Sequence, residues 1–296
     1  MAATIEARGL TKRWGDFTAV DDLTLSVEAG ECYAFLGRNG AGKSTTARMF
    51  LDFLHPTSGS VTVLGGSGRD PEVRKRIGYL PGDLNLPRTM TGLEAVEYFG
   101  SVGASPDRAE VQGLIDRLGM NTERRFHEMS TGNRRKVGLV LAFMNDPDLL
   151  VLDEPTSGLD PVLQDTFREL VRERLDRGAT VWLTSHVMSD LEDVADRVGL
   201  IDRGRLVKDL SMDDLRRQAS DRLTFTFASA PAPDAFDGVA GVVSASASDA
   251  EMSLHVEGPV AAVLARAAEL GAVGIRTVQR DLEDIFLETY GTQEGR

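Results

Sequence analysis

Cysteine is nearly absent. Cys32 is the only one in 296 residues. One thiol cannot build a disulfide framework, so the fold must rest on packing. Cys32 stands in the apolar run Glu31-Cys-Tyr-Ala-Phe-Leu36, where a buried structural thiol is expected. Long apolar runs are missing too. Those at 139–144 and 149–152 suit core elements and fall short of the ~18 residues that span a bilayer. The first residues lack the charged-then-apolar pattern of a targeting signal. A cytoplasmic protein is expected, touching a membrane only through a partner. There is no long basic run, and the formal net charge is −13. That balance argues against a nucleic-acid partner, which wants clustered cations, and for a self-repelling soluble surface. The hydrophobic fraction of 42% supports a sizeable core, and the length suits one large domain or two.

The most informative stretch is Gly37-Arg-Asn-Gly-Ala-Gly-Lys-Ser-Thr45, which fits the phosphate-loop pattern G-x-x-x-x-G-K-[ST]. Glycines let the backbone fold until its N–H groups point at a polyphosphate. Gly37, Arg38, Asn39, Gly40, Ala41, Gly42 and Thr45 are therefore candidate phosphate-binding positions. Lys43 would set an ammonium against the β- and γ-phosphates, and Ser44 would offer a hydroxyl to Mg²⁺. A strand at 31–36 should precede the loop, and a helix over 45–54 should follow with its positive end towards the phosphates. Because the net charge repels a nucleotide, binding must rest on such local groups.

The remaining pattern is α/β. Residues 4–10 and 18–27 read as strands flanking a turn-like Lys12-Arg-Trp-Gly-Asp16. Trp14 in that turn is either a packing residue or a stacking platform for an adenine face. Strands follow at 58–64 and 77–81, then a loop at Gly82. Thr91-Gly-Leu-Glu94 is a capping box opening a largely helical block to about residue 145. Asp148-Leu-Leu-Val-Leu-Asp153-Glu154 suits a buried parallel strand delivering two carboxylates to the ligand edge of an open α/β sheet. Asp153 there would hold Mg²⁺ and Glu154 would orient or deprotonate an attacking water. Residues 161–177 read as an amphipathic helix and 179–184 as a strand ending beside His186, which could bond a γ-phosphate or hold Glu154 in register. Ser189-Asp-Leu-Glu192 reads as a second capping box. Strands at 198–201 and 205–207 form a hairpin turning at 202–204, and Ser211 caps a helix to about residue 218. Past residue 220 the composition shifts. Alternation at Leu223, Phe225 and Phe227 and at Met252, Leu254 and Val256, with helices at 259–270 and 282–290 and a strand at 273–278, marks a small α+β domain over 221–296.

These motifs, in this order, resemble the ATP-binding subunits of ABC transporters over about residues 4–220. Trp14 matches the family's adenine-stacking aromatic, Gly37–Thr45 the Walker A loop, and Met129-Ser-Thr-Gly-Asn133 the LSGGQ signature. Residues 149–154 match Walker B with its catalytic glutamate, Ser157-Gly-Leu-Asp160 the D-loop, and His186 the switch histidine. The resemblance implies a P-loop NTPase core of RecA-like type over 1–220, with a helical subdomain at about 88–145. It also implies Mg²⁺-dependent ATP hydrolysis with Glu154 and His186 catalytic, and a homodimer or heterodimer. In that dimer Ser130, Gly132 and Asp160 grip the ATP bound to the opposite subunit. The tail Asp281-Leu-Glu-Asp-Ile-Phe-Leu-Glu-Thr-Tyr-Gly291 resembles that of ABC-2-type, drug-resistance-like exporter ATPases. This implies export through a separate transmembrane permease, with the chain peripheral on the inner face of the cell membrane.

Two motifs depart from the family. The signature carries Thr131 for glycine and Asn133 for glutamine, and Gly82 stands where a glutamine usually ligates Mg²⁺ and contacts the permease. Asp83 is the candidate substitute, acting through water. The alternatives are a soluble ABC-type ATPase of DNA repair or translation, and a regulatory module paired with a competent partner. The chain lacks the long coiled-coil arms or zinc cysteines of the first kind and the second cassette of translation-type members.

Overall fold

Residues 3–28 alternate apolar and polar side chains, and they form two long antiparallel strands, β1 (Ala3–Trp14) and β2 (Phe17–Glu28). The strand period continues through the segment expected to be a turn, so Trp14 ends β1 and only Gly15 and Asp16 make the bend. The computed structural model describes residues 3–102, 106–189, 191–218, 222–229, 231–256 and 258–278. The chain splits into two compact units, Met1–Ser211 and Met212–Arg296.

In the first unit, β3 (Cys32–Leu36) leads through the phosphate loop into helix α1 (Lys43–Phe50). The helix stops a turn before the sequence suggests. Asp52 turns left-handed, at φ 55, and the N–H groups of Phe53 and Leu54 both return to the Arg48 carbonyl, a closure that satisfies orphan carbonyls. Strand β4 (Ser58–Val63) joins the far side of β1. The chain continues through the short helix α2 (Pro71–Lys75), β5 (Ile77–Leu80), and the helices α3 (Gly92–Val102), α4 (Arg108–Leu118) and α5 (Thr131–Phe143). The capping box is present at the start of α3. Thr91 N–H donates to Glu94 Oε2 at 2.7 Å, and Glu94 N–H to Thr91 Oγ1 at 3.2 Å. Next come β6 (Leu149–Asp153), α6 (Pro161–Asp176), β7 (Thr180–Ser185), β8 (Arg197–Asp202) and β9 (Arg205–Ser211). The capping box read at Ser189 opens no α-helix among the described residues. Residues 191–194 form turns, because the segment must bury Leu191 and Val194 and then reach β8, with Asp196 Oδ2 accepting from Cys32 N–H at 2.8 Å.

Two sheets result. β2-β1-β4 is antiparallel, and β5-β6-β7-β3-β8-β9 is parallel except for its last pair. The fold is the expected α/β P-loop type. Residues of the antiparallel sheet, α1 and one face of the large sheet share a core in which Trp182 packs on Phe35 and Phe50 at centroid distances of 5.5 and 5.2 Å. Burying each such side chain contributes roughly 1.5–3 kcal/mol. Helix α5 lies directly on β5. A Cβ at Gly78 would come within 2.0 Å of the Ala142 carbonyl, so only glycine permits that approach.

The second unit holds α7 (Met212–Gln218), β10 (Arg222–Phe227), β11 (Val242–Ser248), β12 (Glu251–Val256), α8 (Ala261–Glu269) and β13 (Ala272–Val278). Its antiparallel sheet runs β11-β12-β10-β13, with Phe225, Met252, Leu254 and Val263 in its core. Strand β11 has no counterpart in the sequence reading. Its Val-Val-Ser-Ala-Ser-Ala-Ser run carries little apolar alternation, as suits an exposed edge. The helix expected at 282–290 and the tail 281–291 lie outside the described residues.

Cys32 is fully buried in β3, and desolvation holds its thiol far above the usual range. It should therefore resist a thiol reagent in the native protein and react at the rate of unfolding, measured by timed modification in increasing urea. Fast stoichiometric labelling of the native chain would contradict this placement.

Candidate active site

In the large sheet β7 lies between β6 and β3, all three parallel. Register pairs Asp153 with Thr184 and Leu36 with Ser185. The residues just beyond, Glu154, His186 and Gly37, therefore leave the sheet side by side at its carboxyl edge, where open α/β sheets bind ligands.

The loop after β3 is held from several sides. Gly37 N–H donates to the Ser185 carbonyl at 3.1 Å, and Gly204 N–H, from the β8–β9 turn, to the Ala41 carbonyl at 2.9 Å. Gly42 sits at φ 113, and a Cβ there would lie 2.5 Å from the Ala19 carbonyl. The loop thus requires glycine at that point on two counts. Lys43 is buried, and its Nζ donates to the carbonyls of Gly37 at 2.6 Å and Arg38 at 3.3 Å. The same Nζ lies 3.1 Å from Glu154 Oε1. Glu154 Oε2 in turn meets His186 Nδ1 at 2.7 Å. An ammonium, a carboxylate and an imidazole thus form one chain.

Thr184 fixes both carboxylate residues. Its Oγ1 donates to Asp153 Oδ1 at 2.6 Å and accepts from Glu154 N–H at 3.0 Å. Glu154 has a left-handed backbone, φ 52, a conformation that costs a non-glycine residue about 1–3 kcal/mol. The Thr184 bond offsets part of that. Asp153 is 1% exposed. Thr184 was missed by the sequence reading, since only strand register brings it to residue 153.

A cavity of about 300 Å³ is lined by Trp14, Phe17, Ala19, Asn39, Gly40, Gly42, Lys43, Ser44, Thr45 and Glu154. The structure thus brings the aromatic, the loop and the carboxylate together. Trp14 is 47% exposed and stacks with Phe17, at 6.5 Å and 10° between planes. Phe17 was also missed, although it is the direct cross-strand partner of Trp14.

The residues of the 130–160 segment form a separate group, and none of Ser130, Gly132 and Asp160 lines that cavity. Ser130 caps α5, its Oγ accepting from Asn133 N–H at 3.3 Å, and Asp160 caps α6, its Oδ1 accepting from Leu163 N–H at 3.0 Å. A Cβ on Gly132 would lie 3.0 Å from the Gly158 carbonyl, so the two segments touch. At the other departure from the family, a Cβ on Gly82 would lie 2.9 Å from Asp153 Oδ2. Asp83 is exposed, and its Oδ2 accepts from Asn85 Nδ2 at 3.4 Å.

A family model described as ABC transporter matches residues 20–157. The Nod factor export ATP-binding protein I of Cupriavidus pinatubonensis is 33% identical, over 99% of this chain and 92% of its own length. The chain belongs to the ATP-binding subunits of the ABC transporter family. The bacitracin transport ATP-binding protein BcrA of Bacillus licheniformis is 32% identical, covering 76% of this chain and 75% of that protein. A solved ATP binding subunit of an ABC transporter superposes with a TM-score of 0.65 at 28% identity, over 73% of this chain and 92% of that one. Like its family, the ATP-binding subunit binds and hydrolyses ATP. No helix among its described residues is long and apolar enough to cross a membrane.

Thr184→Val keeps the side-chain shape but removes the tether of Asp153 and leaves Glu154 N–H unpaired. The variant should lose about 1–3 kcal/mol of unfolding free energy in a urea titration, and its ATP hydrolysis should slow. Parental stability and rate together would show that the tether carries neither.

Proposed function

We propose that this subunit drives export of a substrate through a separate transmembrane permease, using Mg²⁺-dependent ATP hydrolysis at the site around Lys43, Glu154 and His186. The contact chain Lys43–Glu154–His186 is the observation that carries this reading. It gathers a phosphate-binding cation, a general base and a positioning group at one sheet edge. The backbone of residues 37–42 and Thr45 cradles the phosphates, Lys43 pairs with the β- and γ-phosphates, and Trp14 stacks on the adenine.

The donor set suits Mg²⁺. Asp153 keeps Oδ2 beside the bare backbone of Gly82 while Oδ1 is tied to Thr184. Ser44 lines the same cavity as Lys43. Mg²⁺ takes one or two protein oxygens and completes its shell with phosphates and water. When bound, it neutralises charge on the phosphate oxygens. Glu154 accepts the proton of the water that attacks the γ-phosphorus as the bond to the β-phosphate oxygen breaks, giving ADP and phosphate. His186 holds Glu154 in the orientation for that transfer.

Two subunits would sandwich the nucleotide, Ser130, Gly132 and Asp160 of each facing the phosphates held by the other. The separation of these residues from the cavity within one chain supports this. The α5 N-terminus supplies N–H groups and a positive dipole to an anion. The names of the relatives, Nod factor export and bacitracin transport, support a transporter role. A groove of about 670 Å³ lined in part by Phe53, Tyr79, Asp83, Phe99 and Val102 offers the permease an apolar seat. Such a partner would keep the subunit peripheral on the cytoplasmic face of the membrane.

Glu154→Gln should lower ATP turnover by about 10²–10⁴-fold while preserving ATP-dependent dimerisation, followed by phosphate release and by size-exclusion chromatography. Hydrolysis at the parental rate would remove Glu154 as the base. Gentle detergent extraction of the tagged chain should bring down a polytopic membrane protein in stoichiometric amount. A purely cytosolic product would overturn the permease reading.

A further inference from the structure

Arg135 is a buried cation, 7% exposed, one turn and a half into α5 from Ser130. A buried charge is costly unless its donors are satisfied. Here they are spent on backbone carbonyls. Nη1 donates to the Pro81 carbonyl at 3.0 Å and, at the longer 3.4 Å, to the Asp153 carbonyl, while Nη2 donates to the Gly82 carbonyl at 2.9 Å. Burial pulls the guanidinium below its ordinary range, and Asp153, Glu154 and Asp83 act against that pull. The group stays charged and faces the carboxylates of the site without pairing to one.

The carbonyls it holds belong to the two segments whose geometry matters most. Pro81 and Gly82 open the loop after β5, and Asp153 ends β6. Gly82 offers no side chain to fix that loop, and its backbone already lies against Asp153 Oδ2. The close packing of α5 on β5 at Gly78 keeps the guanidinium within reach. A planar fork with several fixed donors can bridge such carbonyls, which an ammonium cannot do in the same way.

We propose that Arg135 is a positioning residue for ATP hydrolysis, which clamps the side-chain-less loop at Gly82 to the end of β6 and ties both to helix α5. This rests on the reading of Asp153 and Glu154 given above. Arg135 touches no reacting atom. It sets where Asp153 and Glu154 stand, and any shift of the Ser130 end of α5 reaches them through it.

The test uses the full chain with Arg135→Met, which keeps the stem and removes the donors, and Arg135→Lys, which keeps the charge and loses the fork. Steady-state ATPase kinetics are read beside the Kd of a fluorescent ATP analogue. In Arg135→Met, kcat should fall at least tenfold while Kd stays within threefold. In Arg135→Lys, kcat should recover only in part, between Met and parent. If Arg135→Met does not fold, Arg135→Lys decides by the same split of kcat from Kd. Parental kcat in the folded variants overturns the proposal. So does a fall in kcat matched by an equal weakening of Kd, or failure of both variants to fold, since either marks a structural role alone. A parental protein without ATPase activity would overturn the reading of the site itself, which is a distinct result.

Discussion

The register of three neighbouring parallel strands is the constraint on which the site depends. β6, β7 and β3 pair so that Asp153 lies opposite Thr184 and Ser185 opposite Leu36. A slip of one residue would send each side chain to the other face. Asp153 would then lose Thr184, and Gly37 N–H would lose the Ser185 carbonyl. The fully buried side chains of these strands make such a slip expensive. Core packing and site geometry are therefore one requirement. The left-handed turn at Glu154 persists because the register gives its N–H a partner.

Charge is the second constraint. The chain carries −13 overall, and the site adds two carboxylates, yet it has to attract a polyanion. Lys43 and Arg135 answer this from buried positions, each anchored to carbonyls rather than to water. They differ in what they leave free. Lys43 also touches Glu154, a contact that a phosphate would compete for. On the proposed reading, an arriving γ-phosphate draws Lys43 away and leaves Glu154 held by His186, oriented towards water. Arg135 has no such exchange to make, and its role is to keep the frame still.

Much of this was legible in the sequence because the chemistry is local there. The loop from Gly37 to Thr45, the Asp153–Glu154 pair closing an apolar strand, and the capping box at Thr91 depend on residues within a few positions of one another. What stayed hidden depends on partners far apart in the chain. Thr184 bridges back 30 and 31 residues to Glu154 and Asp153, and Arg135 reaches back 53 to Gly82. Neither carries a local pattern. Phe17 could have been found, since the strand period places it opposite Trp14, but the turn was read too wide. Strand β11 escaped because serine and alanine at an exposed edge give no apolar rhythm. The capping box at Ser189 misled for the opposite reason, a local signal overridden by the short reach to β8.

The second group of residues, from 130 to 160, gains its meaning from how it is wired to the first. Ser130 and Asp160 spend their side chains capping α5 and α6, so towards an anion each helix end offers backbone N–H groups. Gly132 rests against the Gly158 carbonyl, which joins the two helix starts into one surface. From there α5 runs to Arg135, and Arg135 reaches the ends of β5 and β6. In the proposed dimer, a phosphate gripped at the start of α5 would be felt at the carboxylates of that same chain, which serve the other nucleotide. The two nucleotides of a sandwich would then be coupled through each subunit's own helix, which packs closely on β5 at Gly78.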